Sequence, residues 1–200
     1  MTIDEANINL KFVMLFRKTF GFTQEEYELL LSRFVLKKIC KKDFYLRAGQ
    51  VCSAKAYINK GCAKTFVIDE HGHQRILVFS FEDWWLADFE SFYSEKPGIK
   101  FIQAIENCEL FEISKKNFLE MEDKIPKLKQ WYPVKITRTT IAAMKRMEEI
   151  KTLTPEQRYL NLSKKYPQIF QRVALQDIAA YLNIEPQSLS RMRKRLASRH

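Results

Sequence analysis

The side chains with the clearest chemistry lie near the C-terminus, in VALQDIAAYLNIEPQSLSRMRKRL (Val173–Leu196). Gln187, Ser190, Arg191 and Lys194 share one face of a helix, while Leu189, Met192 and Leu196, at i, i+3 and i+7, share the other. The polar face carries donors suited to base edges in the major groove. An arginine fork fits guanine O6 and N7, and a glutamine amide can pair with adenine N6 and N7. Ser188 sits beside that face, and Gln176, in the first turn of the preceding helix, joins these residues and Arg195 as a DNA-binding candidate. Arg193, Lys194 and Arg195 extend the basic surface toward phosphates. A helical hairpin with a merely solvated basic face would show the same period, but turn, spacing and charge together favour a nucleic-acid partner.

Three other groups invite chemical readings. His71 and His73 form a His-x-His pair, but the glutamate a cupin metal site needs four or five residues later is replaced by Leu77 and Val78. The pair also falls where a hairpin turn is expected, so a turn outweighs a metal site. The four cysteines (Cys40, Cys52, Cys62, Cys108) contain no C-x-x-C pair and read as buried small hydrophobes in a reducing compartment. Trp84 and Trp85 are candidates for stacking on an aromatic effector, although packing the core is the commoner use of such residues. With no nucleophile–base pair and no phosphate-binding glycine loop in view, the residues predict no enzyme, no metal and no cofactor.

The elements that must position these residues show as changes of hydrophobic period. Apolar residues fall at helical spacing from Asp4 to about Phe34, and Thr23 with Glu26 forms a capping box. Short strands are predicted at Val35–Cys40, Phe44–Arg47, Ala56–Asn59, Ala63–Ile68, Arg75–Phe81, Lys100–Glu106 and Glu109–Ile113. A short helix is predicted within Trp84–Tyr93, and another from Ser114 to Met121. A long helix is expected from Val134 to about Leu153, with Pro133 at its first turn. On it Ile136, Thr140, Ala143, Met147 and Ile150 follow 4-3-4-3 spacing. That seam suits a partner helix, with Ile136, Met147 and Ile150 as its dimer-interface residues. Thr154–Gln157 caps the next helix. In the C-terminal segment, Leu175–Leu182 and a helix opened by Pro186 flank the turn Asn183–Ile184–Glu185.

Charge follows the same division. The net charge is +10, yet residues 151–200 hold ten Lys/Arg against three Asp/Glu. A basic block at one end points to a polyanionic partner. The start lacks the basic-then-apolar pattern of a signal peptide, and no window approaches the ~18 apolar residues of a spanning helix. A cytoplasmic protein without membrane association is expected.

Nearly end to end, the chain resembles the Crp/Fnr family of transcription regulators, in a branch common among Bacteroidetes. The resemblance is carried by Lys41–Gly61, Phe81–Gly98, Gln103–Ser114, Thr154–Val173 and the C-terminal helix pair. It implies an α+β fold with a cyclic-nucleotide-binding-like β-roll (residues 1–132), a dimerisation helix (133–153) and a helix-turn-helix unit of winged-helix type (154–200). It also implies a homodimer on a palindromic operator in double-stranded DNA, with Gln187, Ser188 and Arg191 matching the DNA-contacting positions. RNA polymerase and an unidentified small-molecule effector are the further partners such a regulator admits. Members that bind cyclic AMP hold its phosphate with a Gly-Glu pair before a short helix and a later Arg-Ser or Arg-Thr pair. Here the second pair aligns with Gly98–Ile99, and the first region reads Glu82–Asp83–Trp84–Trp85, so cyclic AMP is not expected to bind. The alternatives are a small-molecule-binding β-roll protein without DNA readout and, more remotely, a cupin-like metalloenzyme.

Overall fold

The structure is a computed structural model that describes residues 10–198, and of these not the side chains of residues 10, 131–140 and 197. The fold is α+β. α1 (Leu10–Met14) runs into a π-helical turn (Leu15–Thr19), and α2 (Gln24–Leu31) follows. α2 starts at the predicted box: Thr23 Oγ1 accepts from the Glu26 amide and the Glu26 carboxylate accepts from the Thr23 amide. Eight strands are described: β1 (Val35–Ile39), β2 (Phe44–Leu46), β3 (Ala54–Lys60), β4 (Ala63–Ile68), β5 (Gln74–Ser80), β6 (Trp85–Leu86), β7 (Phe101–Ala104) and β8 (Cys108–Ser114). They form two four-stranded antiparallel sheets, ordered β1-β8-β3-β6 and β2-β7-β4-β5.

Alternation along the strands assigns the faces. Tyr57 and Phe111, paired across β3 and β8, point out of the first sheet onto Phe12 of α1, with ring centroids 4.8 and 5.5 Å away. Ala56, Ile58 and Leu110 point inward and are fully buried. The second sheet turns Phe66, Ile76 and Phe79 toward the C-terminal helices, where they share one core with Ile178, Leu182 and Leu189. The roll and the C-terminal unit are therefore joined by buried apolar surface, the dominant favourable term in such packing.

After β6 comes α3 (Phe89–Ser94), and after β8 come α4 (Lys115–Lys124) and α5 (Leu128–Thr152). The short helix thus occupies only the end of the predicted Trp84–Tyr93 segment, whose start is committed to β6. α5 begins six residues before the expected Val134. Leu128, fully buried, ties its first turn to the core, and the helix runs through Pro133 at the loss of one backbone hydrogen bond. α6 (Pro155–Lys165), α7 (Ile169–Arg172), α8 (Leu175–Leu182) and α9 (Pro186–Ala197) complete the chain. Among the described residues no helix is long and apolar enough to cross a membrane.

Candidate nucleic-acid interface

α8 buries Ile178, Ala179 and Leu182, and α9 buries Leu189 and Met192 against them. The turn between them works because Asn183 adopts the left-handed conformation (φ 54°, ψ 52°) that ends α8. The Ile184 amide then donates to the Ala179 carbonyl at 3.1 Å, and Arg75 of β5 donates to the Asn183 side-chain oxygen at 3.3 Å. Pro186 takes the first position of α9, where no N–H is needed.

The opposite face of α9 is open. Gln187, Ser188, Arg191, Lys194 and Arg195 are exposed, Ser190 is half-buried, and Gln176 is exposed on the first turn of α8. Two shallow grooves flank the helix. On one side Ser188, Arg191 and Arg195 face Thr154–Gln157 and Leu160 of α6 across a space of about 700 Å³. On the other side Ser190 and Lys194 lie with Tyr159 and Leu175. The polar residues therefore divide between two flanks, with Gln187 at the N-terminal tip. Arg195 is ion-paired with Glu156 of α6, so its guanidinium is directed along the flank. Arg193 lines the same groove as Ser190 and Lys194, with its guanidinium 5.7 Å from the centroid of the Phe170 ring.

The remaining expected sites are spread over the molecule. Trp85 is buried among Phe16, Phe34 and Tyr57, whereas Trp84 is half-buried with its ring 6.3 Å from that of Tyr166 at the end of α6. The two indoles have different ring neighbours: Trp84 lies just before β6 and turns toward Tyr166, while Trp85 enters the core on β6. On α5, Met147 is 59% exposed and Ile150 half-buried, while Ile136 lies outside the described side chains. Ile141 and Met144 extend the exposed apolar stripe beyond the predicted seam, at 60% and 59% exposure. Three cysteines are buried, but Cys40 is exposed because it ends β1 at a turn held by Asp43. The Asp69 carboxylate accepts from the His71 and His73 amides and fixes the hairpin turn, with both imidazoles directed into solvent.

The pair preceding α3 is Ala87–Asp88, not the Glu82–Trp85 stretch expected from the sequence. Asp88 is almost wholly buried and bonded to Lys100 Nζ at 2.6 Å. A Cβ on Gly98 would lie 2.2 Å from the Asp88 carboxylate, so a side chain at that position requires the Asp88 carboxylate to move. Sequence reading also missed Arg146 and Arg172. Arg172 makes a bidentate pair with Glu82, with both bonds at 2.8 Å, and its Nε donates to Glu106 at 3.0 Å. Bonds from Arg172 and the Gly61 amide hold the Glu82 carboxyl below its usual range, against the burial that raises it. Arg146 of α5 donates to the carbonyls of Ile76, Leu77 and Tyr181 at 2.8, 2.5 and 2.8 Å, and desolvation lowers its pKa.

No protein-family model matches the chain, and no curated protein matches it. Solved structures do. The c-di-GMP-responsive global regulator CLP of Xanthomonas campestris superposes with a TM-score of 0.71 at 13% identity, covering 88% of this chain and 92% of its own. FixK2 of Bradyrhizobium japonicum gives 0.70 at 12% identity, with 83% and 85% covered. A transcriptional regulator of the Crp/Fnr family from Eubacterium rectale gives 0.68 at 13% identity, with 90% and 85% covered. The chain has the α+β fold of these structures.

Proposed function

We propose that the protein is a sequence-specific, DNA-binding transcription regulator of the Crp/Fnr type, with residues 1–132 as the sensor, 133–153 as the dimerisation segment and 154–200 as the DNA-reading unit. The observation that carries this reading is the open polar face of α9, with Gln187, Arg191 and Lys194 exposed on a helix whose other side is buried. A helix so presented fits the major groove and offers two or three base-reading side chains. The exposed Ile141, Met144 and Met147 on α5 supply an apolar stripe for a second copy, which makes the operator palindromic. The buried Asp88–Lys100 pair and Gly98 argue against cyclic AMP as effector, since a phosphate there would face a buried carboxylate. The test is selection of duplexes from random DNA by the full chain. A palindromic motif with half-sites centred about 34 Å or a multiple apart is expected; no enrichment over input would refute the reading.

A further inference from the structure

We propose that Arg172 and Arg146 clamp the α8–α9 pair to the β-roll and so set the orientation in which α9 meets DNA, an inference that rests on the DNA reading above. Arg172 is the last residue of α7, separated from the start of α8 by two residues. Its fork grips Glu82 from both oxygens, and Glu82 also accepts from the Gly61 amide at 2.9 Å, which ties the bond to the β3–β4 turn. Glu106, before β8, accepts from Arg172 Nε and Nη2. At the far end of α8, Arg146 reaches from α5 and joins the Tyr181 carbonyl to those of Ile76 and Leu77 on β5. Its guanidinium also lies over the Tyr181 ring, 3.9 Å from the centroid. Between these points Lys64 of β4 pairs with Asp177 of α8 at 2.8 Å, and just past the end of α8 Arg75 donates to the Asn183 side chain.

α8 and its flanking turns are thus gripped from outside by four basic side chains, three of them on the long helix or the roll and none on the polar face of α9. The contacts of Arg172 and Lys64, and those of Arg146 with Ile76 and Tyr181, are partly buried, so salt screens them less than it screens the exposed arginines of α9. Their consequence for binding is arithmetic. If only a fraction of molecules holds α9 at the angle and spacing DNA requires, apparent affinity falls by that fraction without loss of any DNA contact. Loosening the clamp therefore weakens binding with no change in the number of phosphates neutralised.

The experiment uses the full chain with Arg172→Gln and, separately, Glu82→Gln with Glu106→Gln, which leaves Arg172 in place and creates no facing carboxylates. Amide hydrogen exchange and affinity for duplex DNA across a salt series are measured for both. Exchange over Val173–Leu182 should quicken on the order of tenfold with β3 and β8 unchanged. Operator affinity should fall on the order of tenfold with an unchanged salt slope. Unchanged exchange in both variants, or equal quickening throughout the roll, would overturn the clamp. Quickened exchange with unaltered affinity would overturn its role in orientation, and a reduced salt slope would make Arg172 a phosphate contact instead. Failure of the wild-type chain to bind any duplex would sink the DNA reading and the orienting role with it, while the exchange data still decide the clamp.

Discussion

Lys55 lies fully buried on β3, its ammonium 3.2 Å from the centre of the Phe118 ring and 4.5 Å from that of Phe92. Burial pushes its pKa down to about 7, opposed by the charge of Glu122 on α4. The folded state therefore binds this proton more weakly than the unfolded chain does. Between about pH 7 and 10.5 stability rises with pH, and below pH 7 the full penalty applies. The aromatic faces offset part of it. Lys55→Met should stabilise the protein at neutral pH by about 1–4 kcal/mol and flatten the alkaline rise, as read by denaturant unfolding at several pH values. Asn183 gives a second single-residue test. At φ 54° a β-branched side chain is strained, whereas glycine is not. Asn183→Val should cost about 1–2 kcal/mol, and Asn183→Gly only a few tenths beyond the lost Arg75 bond, measured the same way. Asn183 was legible in the sequence as a turn residue. Lys55 was not, because nothing in Ala54–Lys60 says which alternate residue a third layer of helices will cover.

Among the elements, α5 is the one whose exposed face most needs a partner. Met144→Glu with Met147→Glu places two charges on its apolar stripe and should yield monomer by light scattering, with thermal stability of the roll retained. A persistent dimer would move the interface elsewhere. The stripe was half legible: the 4-3-4-3 spacing found Met147 and missed Ile141 and Met144, which the helix presents on a broader arc than a strict seam. The seven longer strands were readable from β-branched and aromatic runs bounded by turns, and the caps of α2 and α6 from Thr-x-x-Glu and Thr-x-x-Gln. β6 was not, since two residues carry no period. The α7–α8 connection also has an electrostatic signature. Glu82 has a lowered pKa in the fold, so its contribution is present above the ordinary value of 4.5 and is lost as pH falls through the lower folded one. Exchange protection of α8 should accordingly fail on acidification before that of β3 and β8.

At the largest scale, the chain joins a β-roll, a long helix and a helix pair through two buried cores, one reaching the start of α5 and the other reaching α8 and α9, and through a set of long-range basic contacts. Those contacts could not be read from sequence, because Arg172 meets Glu82 and Glu106 across 90 and 66 residues and nothing local marks the pairing. The ends and the buried side of α9 were readable, because a twelve-residue amphipathic helix with proline at its start declares both, whereas the split of its polar residues between two flanks depends on where α6 packs and carries no local signal. Under the proposed function the polar face of α9 reads bases, with Arg191 as its specific contact and Arg195, directed along the flank by Glu156, as a phosphate contact. The direct measurement is to repeat the operator selection with Arg191→Ala and with Arg195→Ala. Arg191→Ala should relax preference at one symmetric base pair, losing about 1–3 kcal/mol of discrimination per half-site, while Arg195→Ala should keep the motif and lower the salt slope. A motif unchanged by Arg191→Ala would contradict the claim.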